Sequence, residues 1–120
     1  MTDTIDYQDY QRALQFDQRI SKMGVLHSLA RALIGELRPQ GTERVLDVGT
    51  GTGRLGLDLC ATNTKGLVAG IDSGYGMIRV AKEKAHERGI DNFHLVQGKA
   101  EALPLAPGAF DSACLMPVSY

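Results

Sequence analysis

The chain is 120 residues long, 43% hydrophobic and 22% charged, with a formal net charge of −1. That is the balance of one soluble globular domain, and it lacks the clustered positive charge that nucleic acid or an anionic membrane would need. Cys60 and Cys114 lie far apart, each in an apolar run, and read as small buried hydrophobes of a reducing compartment. His27, His86 and His94 are scattered without partners at ligand spacing, so no metal is expected. The opening MTDTIDYQDYQ is polar and acidic and no apolar run reaches the length of a membrane span, which makes the expected location cytoplasmic.

In chain order, Tyr7 to Leu37 reads as helix with a break near Gly24. In its second part Val25, Leu26, Leu29, Ala30, Leu33, Ile34 and Leu37 form an apolar stripe at helical spacing that must pack on something. Tyr7, Tyr10 and Phe16 in the first part are expected to pack on the domain, the alternative being a lid over a ligand. Pro39, Gly41 and Thr42 then make a turn. Beyond it, short strand-like runs alternate with helical ones, as in β-α-β units with a parallel sheet. The expected strands are Glu43 to Val48, Gly66 to Ile71, Phe93 to Val96 and Ala109 to Met116. The expected helices are Arg54 to Ala61 and Tyr75 to Arg88, the second with Met77, Ile78, Ala81 and Ala85 on one face and Gly89 as terminator. Ala102 to Gly108 carries two prolines and reads as loop.

The most informative stretch is VLDVGTGTGRLG, where a strand runs into Gly49, Gly51 and Gly53 and then into a helix. Glycines there let the backbone turn sharply and let a ligand approach a helix N-terminus with unpaired N–H donors. Asp72 follows 19 residues beyond Gly53, the spacing expected of a carboxylate that grips ribose hydroxyls. A nicotinamide dinucleotide would satisfy that much. Asp47, two residues before Gly49, argues against it, because a carboxylate there would repel a pyrophosphate and would suit a cation.

VLDVGTGTGRLG resembles the first motif of class I S-adenosylmethionine-dependent methyltransferases. GID followed by GMIRVAKEKA resembles their second segment, and VQGKAEALPL followed by FDSACLM resembles the third and fourth in the branch that methylates small molecules such as quinone precursors. The resemblance covers about residues 40 to 116 and implies a Rossmann-like, doubly wound α/β domain. On that reading residues 1–38 form a helical segment and residues 39–120 an incomplete cofactor-binding domain, ending after the fourth strand. The resemblance also implies roles. Asp47 would serve the methionyl amino end of S-adenosylmethionine through water or backbone, with Gly49, Thr50, Gly51 and Gly53 shaping the loop beneath. Asp72 would hold the ribose, Ser73 and Met77 would flank the adenine, and Lys99, Ala100 and Glu101 would line its far edge. No catalytic residue is nominated, because a sulfonium is already an activated methyl donor.

Three features depart from the family. Lys99 stands where an acid usually accepts from the adenine amino group, and an ammonium can only donate. Gly74 replaces the usual helix-opening serine, with Ser73 one place early. The chain ends at Tyr120, which would leave the fourth strand as an apolar edge open to pairing with a second copy or another chain. MPVSY also falls short of the acid-or-Asn-Pro-Pro-aromatic motif of nucleic-acid amino methyltransferases. The leading expectation is a methyltransferase acting on a small organic molecule. Its alternatives are a non-catalytic homologue that docks on a partner, and a fragment of an NAD-binding oxidoreductase.

Overall fold

The computed structural model describes residues 2–24, 28, 31–32, 34–35, 41–99 and 108–115, those before Gln8 as backbone only. Four short runs form the strands β1 (Arg44–Val48), β2 (Leu67–Asp72), β3 (Phe93–Gln97) and β4 (Ser112–Leu115), with β1 buried over Val45–Asp47. They make one parallel sheet in the order β3-β2-β1-β4. Helices α1 (Thr2–Ile20), α2 (Arg54–Thr62) and α3 (Tyr75–Glu87) precede and connect the strands, which gives the Rossmann-like α/β arrangement.

The sequence-based boundaries shift by a residue or two at most elements, and by more at two places. Helix α1 starts at Thr2 rather than Tyr7, since a helix already under way extends at little cost without an apolar stripe to mark it. The break falls at Ser21–Met23, just ahead of Gly24, where the Ser21 hydroxyl donates to the Gln18 carbonyl at 2.8 Å. Strand β4 begins at Ser112 rather than Ala109, since the Asp111 carboxylate takes the Arg44 amide at 2.8 Å and the Asp111 amide donates to the Arg44 carbonyl. Of the stripe expected after the break, Ile34 packs against the core, and the other six residues lie outside those described.

The main core gathers Val45, Val68 and Phe93 from the sheet with Leu55, Leu57, Leu59 and Cys60 of α2 and Ala85 of α3. A second cluster joins α1 to α3 through Ala13, Phe16 and Ile20 on one side and Met77 and Val80 on the other. Polar contacts extend that seam. The Tyr10 hydroxyl donates to Glu83 at 2.7 Å, and the Arg79 guanidinium lies 3.9 Å from the Tyr10 ring centre. At the start of α3 the Gly76 amide donates to the Asp9 carboxylate, and a side chain at Gly76 would strike the Asp9 backbone. Helix α1 thus caps α3, supplying from elsewhere in the chain the acceptor that Gly74 as N-cap lacks. Tyr10 and Phe16 pack on the domain, and the side chain of Tyr7 lies outside the described residues.

At the opposite end of the sheet, fully buried Asn63 closes α2 onto β1. Its Oδ1 accepts from the Glu43 amide at 3.1 Å and its Nδ2 donates to the Glu43 carbonyl at 2.7 Å. Asn63→Ala removes both bonds of a side chain that is itself fully buried. It is expected to lower the unfolding free energy by about 2–3 kcal/mol in urea denaturation, whereas a surface amide would cost a few tenths.

Candidate cofactor site

The carboxyl ends of β1 and β2 and the start of α2 converge on one loop. Gly49, Gly51 and Gly53 have φ of +70°, +58° and +88°, a region in which other residues are strained, so this sequence can make the turn where most cannot. The amides of Gly49 and Thr50 both donate to the Ile71 carbonyl at 2.9 Å, and the Gly53 amide donates to the Thr50 carbonyl at 2.9 Å. The Gly51 amide donates to the Asp72 carboxylate at 3.0 Å. Four amides of the loop itself, those of Gly49, Thr50, Gly51 and Gly53, thus have protein acceptors.

What the loop presents instead is acidic. The Thr50 hydroxyl donates to Asp47 at 2.8 Å, and the Thr52 hydroxyl donates to Asp17 of α1 at 2.6 Å. With the Gly51–Asp72 bond, three consecutive loop residues are each held by a carboxylate from a different element. Asp17 is itself paired with Lys84 of α3 at 2.8 Å. Burial pulls the Lys84 ammonium below its ordinary pKa, and the bond to Asp17 opposes that.

Asp47 is 2% exposed and turned inward, where the Cys114 thiol donates to its second oxygen at 3.7 Å. Burial lifts its pKa to about 6, the Thr50 and Cys114 bonds pull the other way, and the nearby Asp72 charge adds to the rise. Burial, with the Asp47 charge adding to it, pushes the Cys114 thiol up to about 12, so it stays a protonated donor. Sequence reading missed this bond. Asp47 and Cys114 face each other across the β1–β4 register, a pairing that no local pattern reveals.

Asp72 ends β2 half-buried, with its second oxygen taking the Gly74 amide at 2.8 Å. Ser73 is exposed beside it, and the Gln97 side chain donates to the Ser73 carbonyl at 3.3 Å, closing the end of β3 over this corner. Lys99 is exposed just past β3. Met77 is 5% exposed, inside the seam between α1 and α3 and under Gly74 rather than on an open face. Ala100 and Glu101 lie outside the described residues. Above the loop a Cβ built on Gly51 would meet nothing within 4 Å, so the floor is open to a ligand. Among the described residues no group of three or more His, Cys, Asp or Glu is placed to hold a metal, and no helix is long and apolar enough to cross a membrane.

The Asp47 shift has a consequence for stability. A carboxyl whose folded pKa is raised favours the fold while protonated, so its contribution declines as pH climbs from about 4 to about 6 and stays lost above that. Asp47→Asn does not titrate. The stability of Asp47→Asn relative to the wild type is expected to rise by about 2–3 kcal/mol between pH 4 and pH 7 in urea denaturation. A difference that stays flat with pH would show that Asp47 is not held in this buried state.

Comparison with known proteins bears on the same segment. A family described as a methyltransferase domain matches residues 40–117. The ubiquinone/menaquinone biosynthesis C-methyltransferase of Methylobacterium nodulans is 38% identical over 92 residues, 74% of this chain and 36% of that protein. Among solved structures, YcgJ of Bacillus subtilis superposes with a TM-score of 0.69 at 30% identity, over 74% of this chain and 37% of that one. An S-adenosylmethionine-dependent methyltransferase of Aquifex aeolicus gives 0.64 at 28% identity, over 72% of this chain and 46% of its own. The chain thus spans less than half the length of these relatives. It belongs to the methyltransferase-domain family, within the class I, S-adenosylmethionine-dependent group that includes enzymes of quinone biosynthesis.

Proposed function

We propose that this chain is the cofactor-binding part of a methyltransferase that transfers a methyl group from S-adenosylmethionine to a small organic acceptor. The observation that carries the reading is the chemistry of the loop: four of its amides are committed to protein acceptors while carboxylates gather beneath it. A pyrophosphate seeks free amides and no nearby negative charge, so NAD finds neither attraction here. A nucleoside that bears an ammonium and a sulfonium and no phosphate finds a favourable field. When bound, that cofactor supplies an already activated methyl group, so the chain's own residues serve to bind and align it.

Asp72 is the group for the ribose hydroxyls, since each of its oxygens keeps a lone pair beyond its bond to Gly51 or Gly74. Asp47, buried behind the loop, acts on the methionyl ammonium through its field and through Thr50 rather than by contact. Gly49, Thr50, Gly51 and Gly53 form the floor. Ser73 and Lys99 border the adenine side, and Met77 supports Gly74 from within. Ala100 and Glu101 complete that edge on the family resemblance. The small acceptor follows from the likeness to the quinone-biosynthesis enzyme and not from a pocket in this segment.

Calorimetric titration with S-adenosylhomocysteine and with NAD tests the reading, the first binding and the second not. Asp72→Ala, with its circular dichroism spectrum retained, is expected to weaken S-adenosylhomocysteine at least about tenfold, the scale of losing hydrogen bonds to a charged group. An unchanged dissociation constant would refute the ribose role. NAD uptake would instead favour an oxidoreductase, and silence toward both compounds would favour a non-catalytic docking subunit.

A further inference from the structure

We propose that Asp17 is a positioning residue of the cofactor loop, so that the N-terminal helix is a working part of the cofactor site. The inference rests on the cofactor reading above and adds to it a residue outside every motif of the glycine loop. Thr52 sits between Gly51 and Gly53, both at positive φ and both free of a side chain. Between two such hinges, what the Thr52 side chain grips adds a tie to the amide bonds that Gly51 and Gly53 already make. That side chain is 1% exposed, and its hydroxyl meets the Asp17 carboxylate at 2.6 Å, a short charge-assisted bond.

Asp17 can act as an anchor because it is held from elsewhere. The same oxygen takes the Lys84 ammonium at 2.8 Å, in a setting where the side chains are 19% and 16% exposed. Its helix is fastened on both sides of that point, by Phe16 and Ile20 in the apolar seam and by Asp9 and Tyr10 on α3. The strut that reaches Thr52 is thus built from contacts that do not involve the loop. If it lets go, Gly51 and Gly53 keep only their backbone bonds, and the floor under the methionyl and ribose groups is held to one shape less firmly before any ligand arrives.

The test uses the whole chain and two readouts. In calorimetry with S-adenosylhomocysteine, Asp17→Ala and Thr52→Val are each expected to weaken binding about fivefold or more, and the double variant no more than the worse single one. Asp17→Asn keeps an acceptor for the Thr52 hydroxyl and should remain within about twofold of wild type, a rescue that a purely electrostatic role would not give. Tyr10→Phe removes only the hydroxyl bond to Glu83, leaving the ring in the seam and the Asp17–Thr52 bond in place, and should bind as wild type does. Without ligand, amide hydrogen exchange at Gly51 and Gly53, both hydrogen-bonded in the intact loop, should quicken in Asp17→Ala and Thr52→Val and stay slow in Asp17→Asn and Tyr10→Phe. Additive losses in the double variant, or exchange unchanged by Asp17→Ala and Thr52→Val, overturn the proposal. Should the wild type take up no S-adenosylhomocysteine, the cofactor reading falls, and the exchange rates alone decide whether Asp17 holds the loop.

Discussion

Thr50, Gly51 and Thr52 are three neighbours on one turn, and each is tied to a carboxylate that comes from a different part of the chain: Asp47 of β1, Asp72 of β2 and Asp17 of α1. A glycine-rich turn is too pliable to hold one shape unaided, so these ties decide where its atoms lie. They also set the sign of the surface. A glycine loop of the same outline with free amides would welcome phosphate; with its amides engaged and acids behind it, the same outline favours a cation. The choice of ligand class thus lies in what the backbone donors are already bonded to, more than in the glycines.

Bringing acids together is costly, and the surrounding sequence reads as a set of answers to that cost. Asp47 has the Thr50 hydroxyl and the Cys114 thiol, Asp72 has the Gly51 and Gly74 amides, and Asp17 has Lys84. Steric room is part of the answer. Gly70 is the register neighbour of Asp47 on β2, and a Cβ there would come within 2.7 Å of the Thr50 hydroxyl oxygen and push it off the carboxylate. Cys114 is the register neighbour on β4, small enough to pack beside a buried acid and still able to donate. Burial that these bonds do not offset, with the Asp72 charge adding to it, leaves the Asp47 pKa at about 6.

Much of the scaffold was legible because it is written locally. Among the described residues, alternating strand and helix patterns located each strand and the helices around the loop, and the glycine spacing with Asp72 marked the turn. The ties that give the turn its character were not legible. Asp17 lies 35 residues from Thr52 and 67 from Lys84, and Asp9 lies 67 from Gly76, distances over which no periodicity links one residue to another. In sequence Asp9 and Asp17 are polar residues of an acidic helix; only its docking makes them a cap and a clamp. Met77 shows the converse, since helical spacing marked it as apolar but could not say whether it faces a ligand or, as the packing has it, helix α1.

The apolar seam between α1 and α3 connects stability to site shape. It contributes burial that does not depend on the loop, and it sits on the far side of the same residues that the loop uses. Loosening it need not unfold the sheet, whose own core is built from β1, β2, β3 and α2 with Ala85 of α3. It would instead release the Asp17 clamp and the Asp9 cap together, because both ride on one rigid helix. A mutation in the seam can therefore alter the cofactor loop through α1 while leaving β1 and β2 paired, and the two clusters separate what keeps the domain folded from what keeps its site in one conformation.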